Sequence, residues 1–193
     1  APKLSDRIVS QGNFHGEIVA LTCDAMSLAM FELGSISERR MDQMLDPARS
    51  EMPAFLARDS GLESGLMIVQ YVAGASLAEL HGQATPRSAF STTTSAGQED
   101  HVSMGATAAW NLHVGVRRLS EILACEALIA AEALEHATLR SSPHVCAMHD
   151  LVRTVASALV GDRSPSAELM QIADELRQPG WLARLEAEHG RLP

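Results

Sequence analysis

Residues 17–33 read EIVALTCDAMSLAMFEL, and this stretch decides the fold class. Its apolar residues cover most faces of a helix instead of one narrow stripe. A helix that is apolar nearly all round is buried among other elements, so the stretch predicts a central bundle helix. Gly34 is predicted to end this helix. Ser35, with Glu38 three residues later, predicts a capping box that opens a second, short helix ending at Asp46-Pro47.

Two further stretches extend the helical pattern. Residues 63–80, ESGLMIVQYVAGASLAEL, predict another nearly all-apolar helix, in which the small residues 73–76 allow a neighbouring helix to approach closely. Residues 98–138 predict a long helix with one apolar stripe. Glu126 is the odd member of that stripe, and we expect it to pair with an arginine or to lie at a helix contact. The other expected elements are loops at 48–62 and 81–97, helix starts at Ser142-Pro143 and Ser164-Pro165, and a short amphipathic segment from Trp181.

The composition favours an all-α chain and excludes several function classes. Of 193 residues, 46% are apolar and only 4% are aromatic, whereas a β-rich chain needs alternating runs of β-branched and aromatic residues. A net charge of −9, with no basic cluster beyond 39–40 and 117–118, disfavours nucleic acid. Three cysteines without metal-type spacing are typical of reduced thiols. With no signal-peptide pattern and no long uncharged apolar run, we expect a cytoplasmic protein outside the membrane.

Two loops place polar side chains beside flexible backbone. Residues 11–16, QGNFHG, precede the first long helix, and residues 94–105, TSAGQEDHVSMG, lie where the third begins. Glu99 is a catalytic candidate, although a carboxylate in a first helical turn also has a structural reason to be there. Asp100 and His101 are expected to brace the loop.

Familiar catalytic signatures do not occur in the sequence. It contains no Gly-x-Ser-x-Gly elbow, no phosphate-binding loop and no His-Glu-x-x-His. His144 and His149 are five residues apart, which fits one helix face poorly, so no metal site is predicted. Taken by itself, Phe14 reads more readily as a core aromatic residue than as part of a site.

Four stretches together resemble the C-terminal part of the aromatic amino acid lyase and aminomutase family, in its histidine ammonia-lyase branch. They occur in family order and spacing: GNFHGE at 12–17, ELGSISERRMDQMLDP at 32–47, SGLMIVQY at 64–71 and TSAGQEDHVSMG at 94–105. The resemblance covers roughly residues 8–160. It implies an all-α long-helix bundle buried in an oligomer with a tetrameric core. We therefore expect a single helical domain over 1–193, with a loop at 1–16 carrying Phe14, core helices at 17–160 and a looser helical tail at 161–193.

The resemblance also implies a chemistry. The family removes ammonia from an α-amino acid with a 4-methylidene-imidazole-5-one (MIO) electrophile made from an internal Ala-Ser-Gly. Phe14 matches the phenylalanine beside the electrophile and substrate. Glu99 matches the active-site glutamate of histidine-type members, where a carboxylate suits a cationic or NH-donating side chain. The other residues it implies are Asn13 and Gln98 as substrate-binding neighbours, and His15 and Asp100 as supports behind the site.

The sequence also departs from the family pattern, and these departures bear on whether the chain can catalyse the reaction alone. Ala-Ser-Gly occurs nowhere in the 193 residues, because Ser60-Gly61 and Ser64-Gly65 follow Asp59 and Glu63. The family's catalytic tyrosine, its carboxylate-binding arginine and its asparagine near the electrophile belong to a part of the family pattern that this chain does not match. The MIO group is therefore expected from a partner chain, a larger lyase subunit bearing Ala-Ser-Gly, and this chain is expected to be inactive alone. A proteolytic or recombinant fragment is the alternative, but the beginning APKLSDR in a loop favours a naturally split enzyme.

Three functions remain open at this stage. The leading one is the small subunit of a heteromeric ammonia-lyase acting on histidine or a related amino acid. The second is a subunit of a 2,3-aminomutase with the same electrophile. The third is a non-catalytic structural or regulatory subunit of a lyase.

Overall fold

The computed structural model describes residues 13–138 and 141–191. The expected N-terminal loop lies outside the described residues as far as residue 12. Within the described part the chain is all-α, as predicted, with two isolated β-bridges in place of strands. The helices are α1 (Glu17–Leu45), α2 (Pro47–Ser50), α3 (Met67–Gln83), α4 (Gly105–Glu135), α5 (Pro143–Val155), α6 (Ser166–Leu176) and α7 (Trp181–His189), with 3-10 turns at Ala54–Leu56 and Ser95–Gly97.

The predicted break at Gly34 is wrong, because α1 runs unbroken from Glu17 to Leu45. Gly34 allows close packing here instead of ending the helix. A Cβ on it would lie 3.2 Å from methyl groups of both Leu80 and Ile122. The predicted capping box therefore falls inside the helix, where Glu38 is buried.

Several other boundaries agree with the sequence or shift by a few residues. The helix predicted at 63–80 begins at Met67, and the one predicted at 98–138 begins only at Gly105. Ser142 caps α5 by accepting a hydrogen bond from the Val145 amide at 3.4 Å. Pro165 precedes α6 without a side-chain cap. The stop predicted at Asp46-Pro47 agrees with the end of α1 at Leu45, and the Asp46 carboxylate accepts from the Ala48 amide at 2.9 Å.

The core lies where α1, α3 and α4 pack together and where α6 and α5 cover the second half of α4. Small residues permit this packing. Ala73 on α3 is fully buried, and Gly115 on α4 faces the Met30 side chain of α1 so closely that a Cβ would lie 2.7 Å from it. The largest fully buried side chains are Met41, Leu56, Leu80, Ile122, Leu128 and Ile129.

Glu126 pairs with an arginine, as the sequence predicts. Arg40 on α1 forms a two-bond contact with the Glu126 carboxylate of α4, one bond being 2.8 Å from Nη2. The Ser37 hydroxyl donates to the same carboxylate at 2.5 Å. The hydrogen bond to Glu126 raises the pKa of Arg40 against the opposing effect of burial. The contact fixes α1 against α4 by a charge-assisted bond.

The two faces of α1 are reversed relative to an ordinary surface helix. Between Ala20 and Glu38 its buried face carries mostly small or polar residues. Its outward face exposes large apolar side chains, namely Ile18, Val19, Leu21, Met26, Leu28, Leu33 and Ile36, which we call the outer α1 face. By length and composition alone, α1 is long and apolar enough to cross a bilayer. That is weak evidence, because a core helix of a water-soluble protein passes the same test.

Candidate active site

The two loops singled out in the sequence meet in the structure. Residues 13–16 form a turn that leads into α1, closed by a hydrogen bond from the Gly16 amide to the Asn13 carbonyl at 3.3 Å. Gly16 has φ of 68°, a left-handed conformation that glycine adopts without steric cost. The chain thus turns sharply between Asn13 and Glu17, and the turn presents Phe14 and His15 at the start of α1.

The second loop is held in a specific shape before α4 begins. Thr94 and Glu99 exchange two backbone hydrogen bonds of 3.0 and 3.3 Å around the turn at Ser95–Gly97. Ser95 and Ala96 both have φ of 54°, which non-glycine residues adopt only at a cost in energy. This tight turn fixes the Glu99 backbone opposite Thr94.

Two hydrogen bonds hold this loop and the segment that precedes it against the rest of the chain. The buried Asp24 of α1 accepts a hydrogen bond from the Ser88 amide at 2.8 Å. Burial by itself would raise the pKa of Asp24, but backbone hydrogen bonds from Arg87 and Ser88 outweigh it and lower the pKa. Further along, the Val102 amide donates to the Ser91 hydroxyl at 2.9 Å. Asp24 therefore stays ionised and fixes the segment against which the Glu99 loop rests.

Three side-chain contacts join the two loops directly. His15 Nε2 lies 2.7 Å from Glu99 Oε2. His101 Nε2 lies 3.2 Å from Glu17 Oε2, and the Ser103 hydroxyl donates to the His15 carbonyl at 2.7 Å. Each loop thus supplies one histidine and one glutamate, two residues apart, and each histidine meets the glutamate of the other loop.

The structure brings together some of the predicted site residues. The Phe14 ring stands edge-on to the His15 ring at 4.8 Å between centroids and is 78% exposed, so it is not the core aromatic residue that its type alone suggests. Glu99 and His15 are half-buried and in contact. Asn13 and Gln98 are exposed. Asp100 is also exposed, and its carboxylate has no hydrogen bond among the described residues.

Sequence reasoning did not find two of the contacting residues. Glu17 is the last residue of the GNFHGE motif, and Ser103 lies within TSAGQEDHVSMG. Neither stands out, because their partners are 84 and 88 positions away along the chain. His101, expected to brace the loop, does so through Glu17.

The larger cavities of the described chain lie elsewhere. Two of about 430 and 440 Å³ lie on either side of Trp181 and Leu185, between α7 and the neighbouring helices, and their lining is mainly apolar. The described residues contain no cluster of three or more side chains suited to a metal ion. Phe14, Glu99 and His15 instead form an open surface that can pack an aromatic ring and accept a hydrogen bond from a donor or cation.

Comparison with known proteins shows which family the sequence and the fold match. Residues 2–154 match the family model described as aromatic amino acid lyase. Histidine ammonia-lyase from Deinococcus radiodurans is 46% identical over 169 residues, which are 88% of this chain and 32% of that protein. Histidine ammonia-lyase from Trypanosoma cruzi superposes with a TM-score of 0.88 at 35% identity, over 99% of this chain and 38% of that one.

A tyrosine aminomutase from Streptomyces globisporus superposes equally well, with a TM-score of 0.90 at 31% identity over 98% of this chain and 37% of that one. The chain spans about a third of the length of the curated relatives it matches, and the matched part is C-terminal. The family model covers most of the chain, and the relatives agree with it in sequence and in fold, so the chain belongs to the aromatic amino acid lyase family.

Proposed function

We propose that this chain is the small subunit of an MIO-dependent ammonia-lyase that eliminates ammonia from histidine or a related amino acid. The observation that carries the proposal is the contact between the Phe14 turn and Glu99, made through His15. The resemblance implies active-site roles for Phe14 and Glu99, and the His15 contacts that bring the two residues near each other support this proposal. The histidine ammonia-lyase relatives support this substrate class.

The residues of this chain would bind and orient the substrate. One oxygen of the Glu99 carboxylate contacts His15, which leaves the other able to accept a charge-assisted hydrogen bond from an imidazole or ammonium group. The exposed Phe14 ring would pack against the substrate and exclude water from it. The exposed amides of Asn13 and Gln98 can complete its hydrogen bonds.

The electrophile would come from a polypeptide other than these 193 residues, which contain no Ala-Ser-Gly. When bound, an MIO group supplies an electrophilic carbon that makes the amino group a better leaving group. The described residues fit such a group, because the Phe14 ring is 78% exposed and offers aromatic surface for contact beside the edge-on His15 ring. Phe14 and Asn13 are the residues that would lie against it.

The outer α1 face supports the expected larger partner. An exposed apolar surface of this extent marks an interaction site. The matched relatives carry about two thirds of their length in parts that this chain lacks. We propose that a larger, Ala-Ser-Gly-bearing subunit covers this face in a hetero-oligomer with a tetrameric core.

The test is reconstitution. The chain is co-expressed with a separate polypeptide carrying the Ala-Ser-Gly-containing N-terminal part of a histidine ammonia-lyase relative, and formation of the unsaturated acid is followed by absorbance. Glu99→Gln is expected to lower kcat by about 10²-fold or more, because one transition-state hydrogen bond is commonly of that value. Assembly, measured by light scattering, should not change.

A matched control removes a negative charge elsewhere. Glu51→Gln alters an exposed residue at the end of α2 and is expected to leave kcat unchanged. Full activity of the Glu99→Gln complex would remove Glu99 from the site. Full activity of the larger polypeptide without this chain would make this chain a structural or regulatory subunit.

A 2,3-aminomutase is the second candidate, favoured by the superposition on the tyrosine aminomutase. The two reactions differ in product, since an aminomutase returns the ammonia to the β-carbon. Mass spectrometry and NMR of the products of the reconstituted complex separate an unsaturated acid from a β-amino acid.

A further inference from the structure

We infer that Glu17 and His101 form a positioning pair that fixes where the Glu99 carboxylate stands. This inference deepens the proposed function and rests on it. Neither residue was assigned to the site itself, and neither contacts Glu99 directly. Their contact, 3.2 Å between His101 Nε2 and Glu17 Oε2, lies beside the His15–Glu99 contact in the same pair of loops.

The register of the two contacts is the main argument. His15 and Glu17 are two residues apart at the start of α1, and Glu99 and His101 are two residues apart before α4. Residue 15 meets residue 99 and residue 17 meets residue 101, and the Ser103 hydroxyl donates back to the His15 carbonyl, so the two segments are joined at three neighbouring points. The two histidine rings stand nearly perpendicular, with centroids 6.3 Å apart. A shift of the Glu17–His101 contact would therefore shift the neighbouring Glu99 relative to His15.

The loop needs such an anchor, since it has few others. Between Gln98 and Gly105 it has no regular secondary structure, and Met104 has a left-handed φ of 56°. Its backbone is held by the two Thr94–Glu99 bonds, the Ser91–Val102 bond and the Ser103 contact to the His15 carbonyl. Between Glu99 and Ser103, the Glu17–His101 contact is the link in which the loop itself supplies the side chain, beside the bond from the Val102 amide to the Ser91 hydroxyl.

The pair is poorly suited to stabilising the fold as a whole. The His101 side chain is 53% exposed and that of Glu17 is 35% exposed. Contacts between exposed charged side chains contribute little to folding. Glu17 also gains from the positive end of α1, which holds its carboxylate in place whether or not His101 is present. The contact can therefore be removed while the chain stays folded, and the effect on Glu99 can be measured separately.

The first test measures the loop itself and needs no activity. In the full chain, Glu17→Gln and His101→Gln are expected to raise hydrogen exchange at the Glu99 and Thr94 amides about two- to fivefold, because local opening follows the strength of an exposed contact. Exchange within α4 should not change, and Glu51→Gln should change neither region. Unchanged exchange at Glu99, or the same increase in Glu51→Gln, overturns the inference.

The second test asks whether the pair acts through Glu99. In the reconstituted lyase, Glu17→Gln is expected to lower kcat about two- to fivefold with KM less affected. In a Glu99→Gln background the same substitution should have no further effect. An equal loss in both backgrounds would mean that Glu17 acts independently, which overturns the inference. If the wild-type complex shows no lyase activity, the proposed function fails, whereas the exchange result still decides the positioning role.

Discussion

The two halves of α4 lie in different surroundings. From Ile122 to Ala133, α4 is enclosed, and α5, α6 and the α1–α3 pair bury most of its side chains. From Gly105 to Val116 it is open, with few buried positions and with Trp110 67% exposed. The open half starts at the loop that carries Glu99. The enclosed half of α4 is thus part of the buried scaffold, whereas the exposed half adjoins the loop that carries the candidate site.

The two regions also differ in how far their carboxylates are buried. In the enclosed half, Glu132 is almost fully buried and accepts hydrogen bonds from Arg153 at 2.9 Å and from the Leu159 amide at 3.1 and 3.2 Å. At the loops beside the open half, the contacts of His15 with Glu99 and of His101 with Glu17 keep access to water. A satisfied buried network fixes one packing, whereas an accessible carboxylate can bind a ligand.

The largest expected effect on stability comes from breaking the enclosed half. Glu132→Ala removes one partner of the mostly buried Arg153 guanidinium and leaves the Leu159 amide without an acceptor. We expect the free energy of unfolding to fall by about 3–5 kcal/mol, the usual loss when one member of a buried pair is removed. Urea denaturation followed by circular dichroism measures it, and a loss below about 1 kcal/mol would show that α5 is not anchored by this network.

A substitution at the start of α3 should have the next largest effect. Gly65 has φ of 52°, and a Cβ there would lie 2.4 Å from the Phe55 carbonyl oxygen. Its amide also donates to Asp162 at 2.8 Å, which ties α3 to the segment before α6. Gly65→Ala should therefore lower the free energy of unfolding by about 2–4 kcal/mol.

Gly61 supplies the matched control for this prediction. It also has a positive φ, of 101°, but a Cβ there would meet nothing within 4 Å. Gly61→Ala should show only the backbone strain, about 1 kcal/mol. Equal losses for the two substitutions would mean that the close approach of Phe55 makes no contribution.

The proposed contact of the outer α1 face with a larger subunit can be tested by substituting a charged residue into that face. Met26 on this face is 51% exposed, and Met170 on α6 is 68% exposed. Met26→Glu should weaken association with the larger lyase polypeptide at least about tenfold, because a charge would be buried in the interface. Met170→Glu should leave association unchanged, and neither substitution should alter the stability of the chain alone by more than about 0.5 kcal/mol. Equal affinities for the two variants would place the partner elsewhere.

The sequence predicted the enclosed half better than the open one. Apolar periodicity identified the long helices, and Glu126 was correctly expected to pair, here with Arg40. The break predicted at Gly34 failed because a glycine that stops an isolated helix can also admit a neighbouring one, here α3 and α4.

The start of α4 was missed for a tertiary reason. Residues 98–104 have helical periodicity, but contacts to Ser91 and to the start of α1 hold them as a loop. For the same reason Glu17 could not be paired with His101 from the sequence. The resemblance, and not the residue pattern alone, identified Phe14 and Glu99 as site residues, and their roles stay predictions.

The smallest expected effect is a pH dependence at the enclosed end, where His149 links α5 to the last turn of α4. His149 Nε2 lies 2.9 Å from Glu135 Oε1, and Nδ1 lies 3.1 Å from Asp150 Oδ1. The hydrogen bond to Glu135, followed by that to Asp150, raises the pKa of His149. The hydrogen bond from His149, opposed by burial and aided by Arg153, lowers the pKa of Glu135.

The signs of these shifts define a pH window. The raised pKa of His149 stabilises the fold fully below its ordinary value of 6.5, and this contribution is lost as the pH rises through the folded-state pKa. The lowered pKa of Glu135 stabilises the fold above its ordinary value of 4.5, and this contribution is lost as the pH falls through the folded-state pKa. The pair therefore contributes most between these two ordinary values. His149→Gln should reduce the free energy of unfolding by up to about 1 kcal/mol near pH 5.5 and by less near pH 8.5. A difference between wild type and variant that is constant with pH, measured by urea denaturation at both values, would mean that the contact acts by packing alone and carries no linked proton.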